Sequence, residues 1–111
     1  MIEKIVYDYL VTALSPTKVA LEKPETLPAK MVVIEKTGSS EYNRIQTATL
    51  AIQSYDTSLF KAASLNELVK EKMAAITNTT DLYRCECLSD YNYTDTTKKG
   101  YRYQAVFEIS Y

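Results

Sequence analysis

Residues 48–73 read ATLAIQSYDTSLFKAASLNELVKEKM, and within them the apolar spacing changes from every second residue to one turn of a helix. Ala48, Leu50, Ile52 and Ser54 alternate against Thr47, Thr49, Ala51 and Gln53, the pattern of a strand with two unlike faces. From Asp56 the period lengthens. Leu59, Ala62, Ala63, Val69, Met73 and Ile76 line one side of a helix, with Lys61, Glu67, Lys70, Glu71 and Lys72 on the solvated side. Asp56 or Ser58 is placed to accept from the free amides at the helix start. A strand that passes directly into a helix reaching to about Ile76, roughly 28 Å at 1.5 Å per residue, calls for a sheet covered by helices.

Upstream, Met31–Lys36 (MVVIEK) is rich in β-branched residues and reads as a buried strand that pairs with 48–55 in a hairpin. The stretch between them, Thr37–Arg44, holds Gly38, two serines and Asn43 and reads as a loop. Before it come an irregular connection, Lys23–Lys30, with Pro24 and Pro28, and a short extended piece, Val19–Glu22. The N-terminal segment places Ile2, Ile5, Val6, Tyr9, Leu10, Ala13 and Leu14 at helical spacing, and Ser15 and Pro16 end that helix. Downstream, residues 78–81 supply a turn, and two long strands follow, Leu82–Tyr93 and Tyr101–Tyr111, joined by the polar tip Thr94–Gly100. In the last strand Tyr101, Tyr103, Ala105, Phe107, Ile109 and Tyr111 share one face, opposite Arg102, Gln104, Glu108 and Ser110. The expected order is α-β-β-β-α-β-β: one α+β domain over residues 1–111, a mainly antiparallel sheet of four to five strands with two helices packed on one face.

Composition narrows the chemistry. The 111 residues are 46% hydrophobic and 24% charged, enough for a core without a metal or disulfide staple. Thirteen basic against fourteen acidic residues give a net charge of −1, and the longest basic run is Lys98 with Lys99, so no specific nucleic acid is expected as a partner. Histidine is absent, which removes Ser-His-Asp and Cys-His pairs and His-ligated metals. With glycines only at 38 and 100, neither a Walker loop nor a dinucleotide fingerprint can be assembled. Cys85 and Cys87 sit two apart in a strand and read as free thiols, since a zinc site would need two carboxylates to complete it. No cofactor is expected. The MIEKIVYDYL start lacks a signal-peptide pattern and no apolar run approaches about 18 residues, so no membrane association is expected either.

The remaining constellations are surface features. Glu86 and Glu108 form a possible cross-strand acid pair, whose plain alternative is a solvated sheet face. Asp90, Asn92 and Thr94 imitate the start of a calcium loop, but Asp95 stands where that loop needs glycine and Tyr101 where it needs glutamate. Four of the ten tyrosines fall on the outer hairpin, Tyr91 and Tyr93 on one arm and Tyr101 and Tyr103 on the other, and they are expected to face one another across it. A tyrosine-rich arm offers rigid amphipathic contact area suited to a protein interface. Glu41, Tyr42 and Arg44, on the loop 37–44, combine both charges with an aromatic ring and form a second candidate interface. The outer strand of the sheet offers a third.

Three strings in order, MVVIEKTGSS, ATLAIQSYDTSLFKAASLNELVKEKM and SDYNYTDTTKKGYRYQAVFEISY, cover most of the chain, and in them it resembles the small tail-terminator or tail-completion proteins of long-tailed bacteriophages and prophages. That resemblance implies a non-enzymatic subunit of a homo-oligomeric ring, typically of six copies. Such a ring caps the finished tail tube, stops its polymerisation and presents a surface to the head. The implied partners are further copies of the chain, the major tail-tube protein and a head-completion or connector protein. The implied location is the head–tail junction of the virion, after synthesis in the bacterial cytoplasm. The interface role falls on Glu41, Tyr42 and Arg44 and on Tyr91, Asn92, Tyr93, Asp95, Lys98, Lys99 and Tyr101. A neck or head-completion ring is the competing expectation, ahead of a generic interaction domain or a small enzyme.

Overall fold

The structure, a computed structural model, describes residues 1–26, 28–42, 44–97 and 100–111. Helix α1 spans Ile2–Ala13 and α2 spans Leu59–Ala74, followed by a 3-10 turn at Ile76–Asn78. The strands are β1 (Lys18–Ala20), β2 (Met31–Tyr42), β3 (Ile45–Tyr55), β4 (Arg84–Asn92) and β5 (Arg102–Ser110). Among the described residues they form one five-stranded sheet in the order β1-β2-β3-β5-β4, antiparallel except for the β1–β2 pair. The fold is therefore α+β with the expected element order.

Both helices lie on one face of this sheet. Ile2, Val6, Leu10 and Leu14 of the first helical segment and Leu65, Val69 and Met73 of α2 meet Val32, Ile34, Leu50, Ile52, Ala105, Phe107 and Ile109, all of them buried. Each of these side chains larger than alanine contributes about 1.5–3 kcal/mol by leaving water. The buried row of α1 keeps to every fourth residue, so Ile5, expected on the stripe, is 40% exposed on its flank. A helix packed over the narrow β1–β2 edge of the sheet covers only such a thin row. In α2, Ser58 accepts from the Lys61 amide as the helix cap. The packed stripe of α2 runs through Ala62, Leu65, Asn66, Val69 and Met73, which leaves Leu59 exposed. Tyr9 joins the helices by donating its hydroxyl to the Lys72 carbonyl at 2.6 Å.

The stretch expected as a loop, Thr37–Arg44, is instead mostly strand. β2 runs on to Tyr42 and pairs with β3 as far as Tyr42 opposite Ile45, with one irregularity between Lys36 and Gly38. Its polar composition has another cause than irregular backbone. This part of the hairpin stands beyond the helices with most of its side chains in water, so period-2 hydrophobicity never develops. Arg44, at φ 65°, takes the left-handed conformation that a tight reversal requires.

Cys85 and Cys87 pair with Ile109 and Phe107 and so share the helix-covered face; both are free thiols. Burial, reinforced by the charge of Cys87, pushes the Cys85 thiol from 9.0 to about 11. A raised thiol favours the protonated form in the folded state, so its contribution is complete below pH 9.0 and is lost as pH rises toward about 11. Urea unfolding of Cys85→Ala over that window is expected to show a shallower loss of stability with pH than the parent. Equal slopes would place the alkaline sensitivity elsewhere.

Candidate functional site

The described residues that the sequence marks for an interface separate into two groups at opposite ends of the sheet. Antiparallel pairing places Tyr42 and Ile45 at the same end as Ser110 and Arg84, and Tyr55 at the other end with Arg102 and Asn92. Ten residues of β3 separate the ends, roughly 34 Å at about 3.4 Å per residue. The long axis of the molecule is 44 Å.

At the first end is the β2–β3 tip. Glu41, Tyr42 and Arg44 are exposed there, Tyr42 at 78%, beside Ile45 at 47%. No ion pair holds Glu41 or Arg44 among the described residues. An aromatic and an aliphatic side chain paired across a projecting hairpin, with charges of both signs around them, are a surface without a partner inside the molecule.

At the second end the tyrosines do not face one another as expected. Between Cys87 and Ser89 the β4 ladder slips by one residue, leaving Leu88 unpaired. A slip of one exchanges the faces of everything beyond it. Tyr91 therefore opposes Gln104 rather than Tyr103, and Tyr103 opposes Asn92. Tyr91 and Tyr93 lie edge-to-face with centroids 5.9 Å apart on the sheet face away from the helices. Tyr101 is half-buried against the body, where its carbonyl accepts from the Asp56 amide at 3.3 Å. Asn92 accepts from the Thr94 amide and hydroxyl, and Asp95 accepts from the Thr97 amide at 3.0 Å, so both shape the turn. Lys98 and Lys99 lie outside the described residues.

What the slip assembles is a polar cluster on the open sheet face. The Arg102 guanidinium stacks 4.4 Å from the Tyr93 centroid and 5.7 Å from that of Tyr55. Its Nε donates to the Tyr93 carbonyl at 2.6 Å and its Nη1 to the Tyr55 hydroxyl at 3.0 Å. Tyr55 passes the chain on, donating to Gln53 Oε1 at 3.0 Å, and Gln53 Nε2 donates to Gln104 at 2.9 Å and to Glu35 at 3.5 Å. Gln104 in turn donates to the Tyr91 hydroxyl. Met31, Val33 and Tyr55 form a small second core beneath the cluster. Beside it opens a cleft of about 400 Å³, whose walls include Leu21, Lys23, Glu35, Tyr55, Tyr93 and Arg102.

Of this cluster only Tyr91 and Tyr93 stand out in the sequence as candidates. Arg102 and Gln104 read there as the polar side of the last strand and Gln53 as part of an alternating strand; in the fold Gln53 is buried, and Arg102 and Gln104 are half-buried, by the cluster they form. The signal that was available is that both central strands carry hydrogen-bonding side chains in step on that side, Gln53 with Gln104 and Tyr55 with Arg102.

Glu86 and Glu108 are direct cross-strand neighbours, but on the open face, where Arg84 binds Glu86 and neither acid lines the cleft. Asp90 is held by Lys70 at 3.2 Å and by the buried Asn66 at 3.1 Å, a tie between α2 and β4 rather than a ligand set. Among the described residues no group of three or more Cys, Asp or Glu is placed to hold a metal ion, and no helix is long and apolar enough to cross a membrane. No protein-family model matches the chain, and no curated protein matches its sequence.

Proposed function

We propose that this protein is a structural subunit that assembles with further copies of itself into a ring on the end of a phage tail tube, where it ends tube growth and offers the surface to which the head is joined. The reading is that of a protein acting through contact surfaces, without bond making or breaking. The observation that carries it is the asymmetry of the sheet. One end bears an exposed apolar and charged hairpin, and the other bears an aromatic and arginine cleft. A closed ring requires two unlike patches on each subunit, and these two qualify. Occupying the last tube layer with a ring that tube subunits cannot extend stops polymerisation without any chemical step.

The test is electron microscopy of particles from a phage or prophage in which this gene is deleted. Tubes of excessive and variable length, restored to normal by the gene in trans, are the expected result. Tails of normal length left unattached to heads would overturn termination and place the protein in the neck instead.

A further inference from the structure

Arg102 is clamped by two aromatic rings, yet among the described residues it has no carboxylate within ion-pair distance, and its Nη2 carries no hydrogen bond. Lys23 stands 5.9 Å from the centroid of the same Tyr55 ring. The cleft therefore carries two cations, Arg102 and Lys23, and its lining also includes two carboxylates, Glu22 and Glu35. The β2–β3 tip carries the complement, Glu41 and Arg44 around the exposed Tyr42–Ile45 pair. Roughly 34 Å of strand lies between tip and cleft, so a chain cannot fill its own cleft with its own tip.

We infer that the β2–β3 tip of one copy docks into the Arg102 cleft of the next, with Glu41 on the free edge of the guanidinium, Arg44 toward the lining carboxylates Glu22 and Glu35, and Tyr42 against the apolar lining residues Leu21 and Val33. A guanidinium already fixed by two rings loses little freedom on binding a carboxylate, and the pair is of the strong, charge-assisted kind. Because tip and cleft are unlike patches at opposite ends, the contact is head-to-tail, and every docked copy leaves one tip and one cleft open for the next. This inference rests on the ring-forming part of the reading above and needs neither tube nor head.

The experiment uses the full chain and native mass spectrometry with sedimentation velocity at about 1 mM, a concentration that half-fills even a millimolar contact. The parent is expected to form species larger than a dimer. Glu41→Arg and Arg102→Glu are each expected to weaken self-association by about 30-fold or more, the effect of breaking a close charge pair at an interface. Mixed in equal amounts, the two variants are expected to reassemble with alternating order, since each reversed tip then meets a reversed cleft. Arg102→Gln, which puts no new charge beside Tyr55, is expected to lose assembly in the same way and serves if Arg102→Glu does not fold. A parent that stays monomeric, a symmetric dimer that never grows, or single variants that assemble like the parent would overturn the contact. Assembly that survives both substitutions leaves the ring reading standing, and the capping reading fails separately, on tail length.

Discussion

Phe107→Ala is expected to lower the unfolding free energy by about 3–5 kcal/mol, while Phe60→Ala, the same change at the only other phenylalanine, is expected to move it by no more than about 0.5 kcal/mol. Phe107 lies on β5, between Leu50 of β3 and Cys87 of β4, and is 2% exposed; Phe60 stands in the first turn of α2 at 80% exposed. Removing the Phe107 ring leaves a cavity at the junction of both hairpins and the helix layer, where neighbours on three strands cannot close together without breaking their ladders. Domains of this kind are stable by only about 5–15 kcal/mol, so the loss is a large share of the whole. Urea midpoints of the two variants, read with unchanged slope, measure the difference. Comparable losses at the two positions would mean that the sheet face assigned to the core is wrong.

The same alternation explains what could and could not be read in advance. Where one face of a strand meets helices and the other is more open, as from Arg102 to Ser110, side-chain type reports the face directly; from Leu50 to Tyr55 both faces of β3 are buried, and Gln53 and Tyr55 belong to the polar cluster on the far face. Where both faces are wet, as beyond Gly38 in β2, strand and loop carry the same residues, and only backbone pairing tells them apart. The unpaired Leu88 is the subtler case. Period-2 reading assumes an unbroken ladder, and a single slip reverses Tyr91 and Tyr93 relative to Tyr101 and Tyr103. Nothing in the alternation around Cys87–Leu88–Ser89 announces it, because a bulge is defined by the pairing with β5 rather than by the residues of β4 alone. The Arg102 cleft escapes the sequence for a related reason: its walls come from β1–β2, β3, β4 and β5 ends that are distant in the chain.

Tyr55 links that cleft to the stability of the fold, and two substitutions there separate its roles. Tyr55→Ala is expected to cost about 3 kcal/mol or more, since the ring is 4% exposed and fills the second core with Met31 and Val33. Tyr55→Phe keeps that packing and removes only the hydroxyl, which accepts from Arg102 and donates to Gln53. Its cost to folding is about 1–3 kcal/mol, the penalty for leaving the buried Gln53 oxygen without its donor. Its effect on Arg102 is larger in consequence than in energy. With Nη1 released, the guanidinium is held by Nε and by the two ring faces alone, without the hydrogen bond that fixes its rotation, so part of its order must be regained each time it receives a carboxylate. The phenylalanine variant is therefore expected to remain folded at 25 °C yet self-associate about tenfold more weakly, whereas the alanine variant loses both together. Urea unfolding and sedimentation of the same samples distinguish the two. If Tyr55→Phe assembled as the parent does, the preset orientation of Arg102 would have no part in docking, and the cleft would be reduced to a feature of the fold.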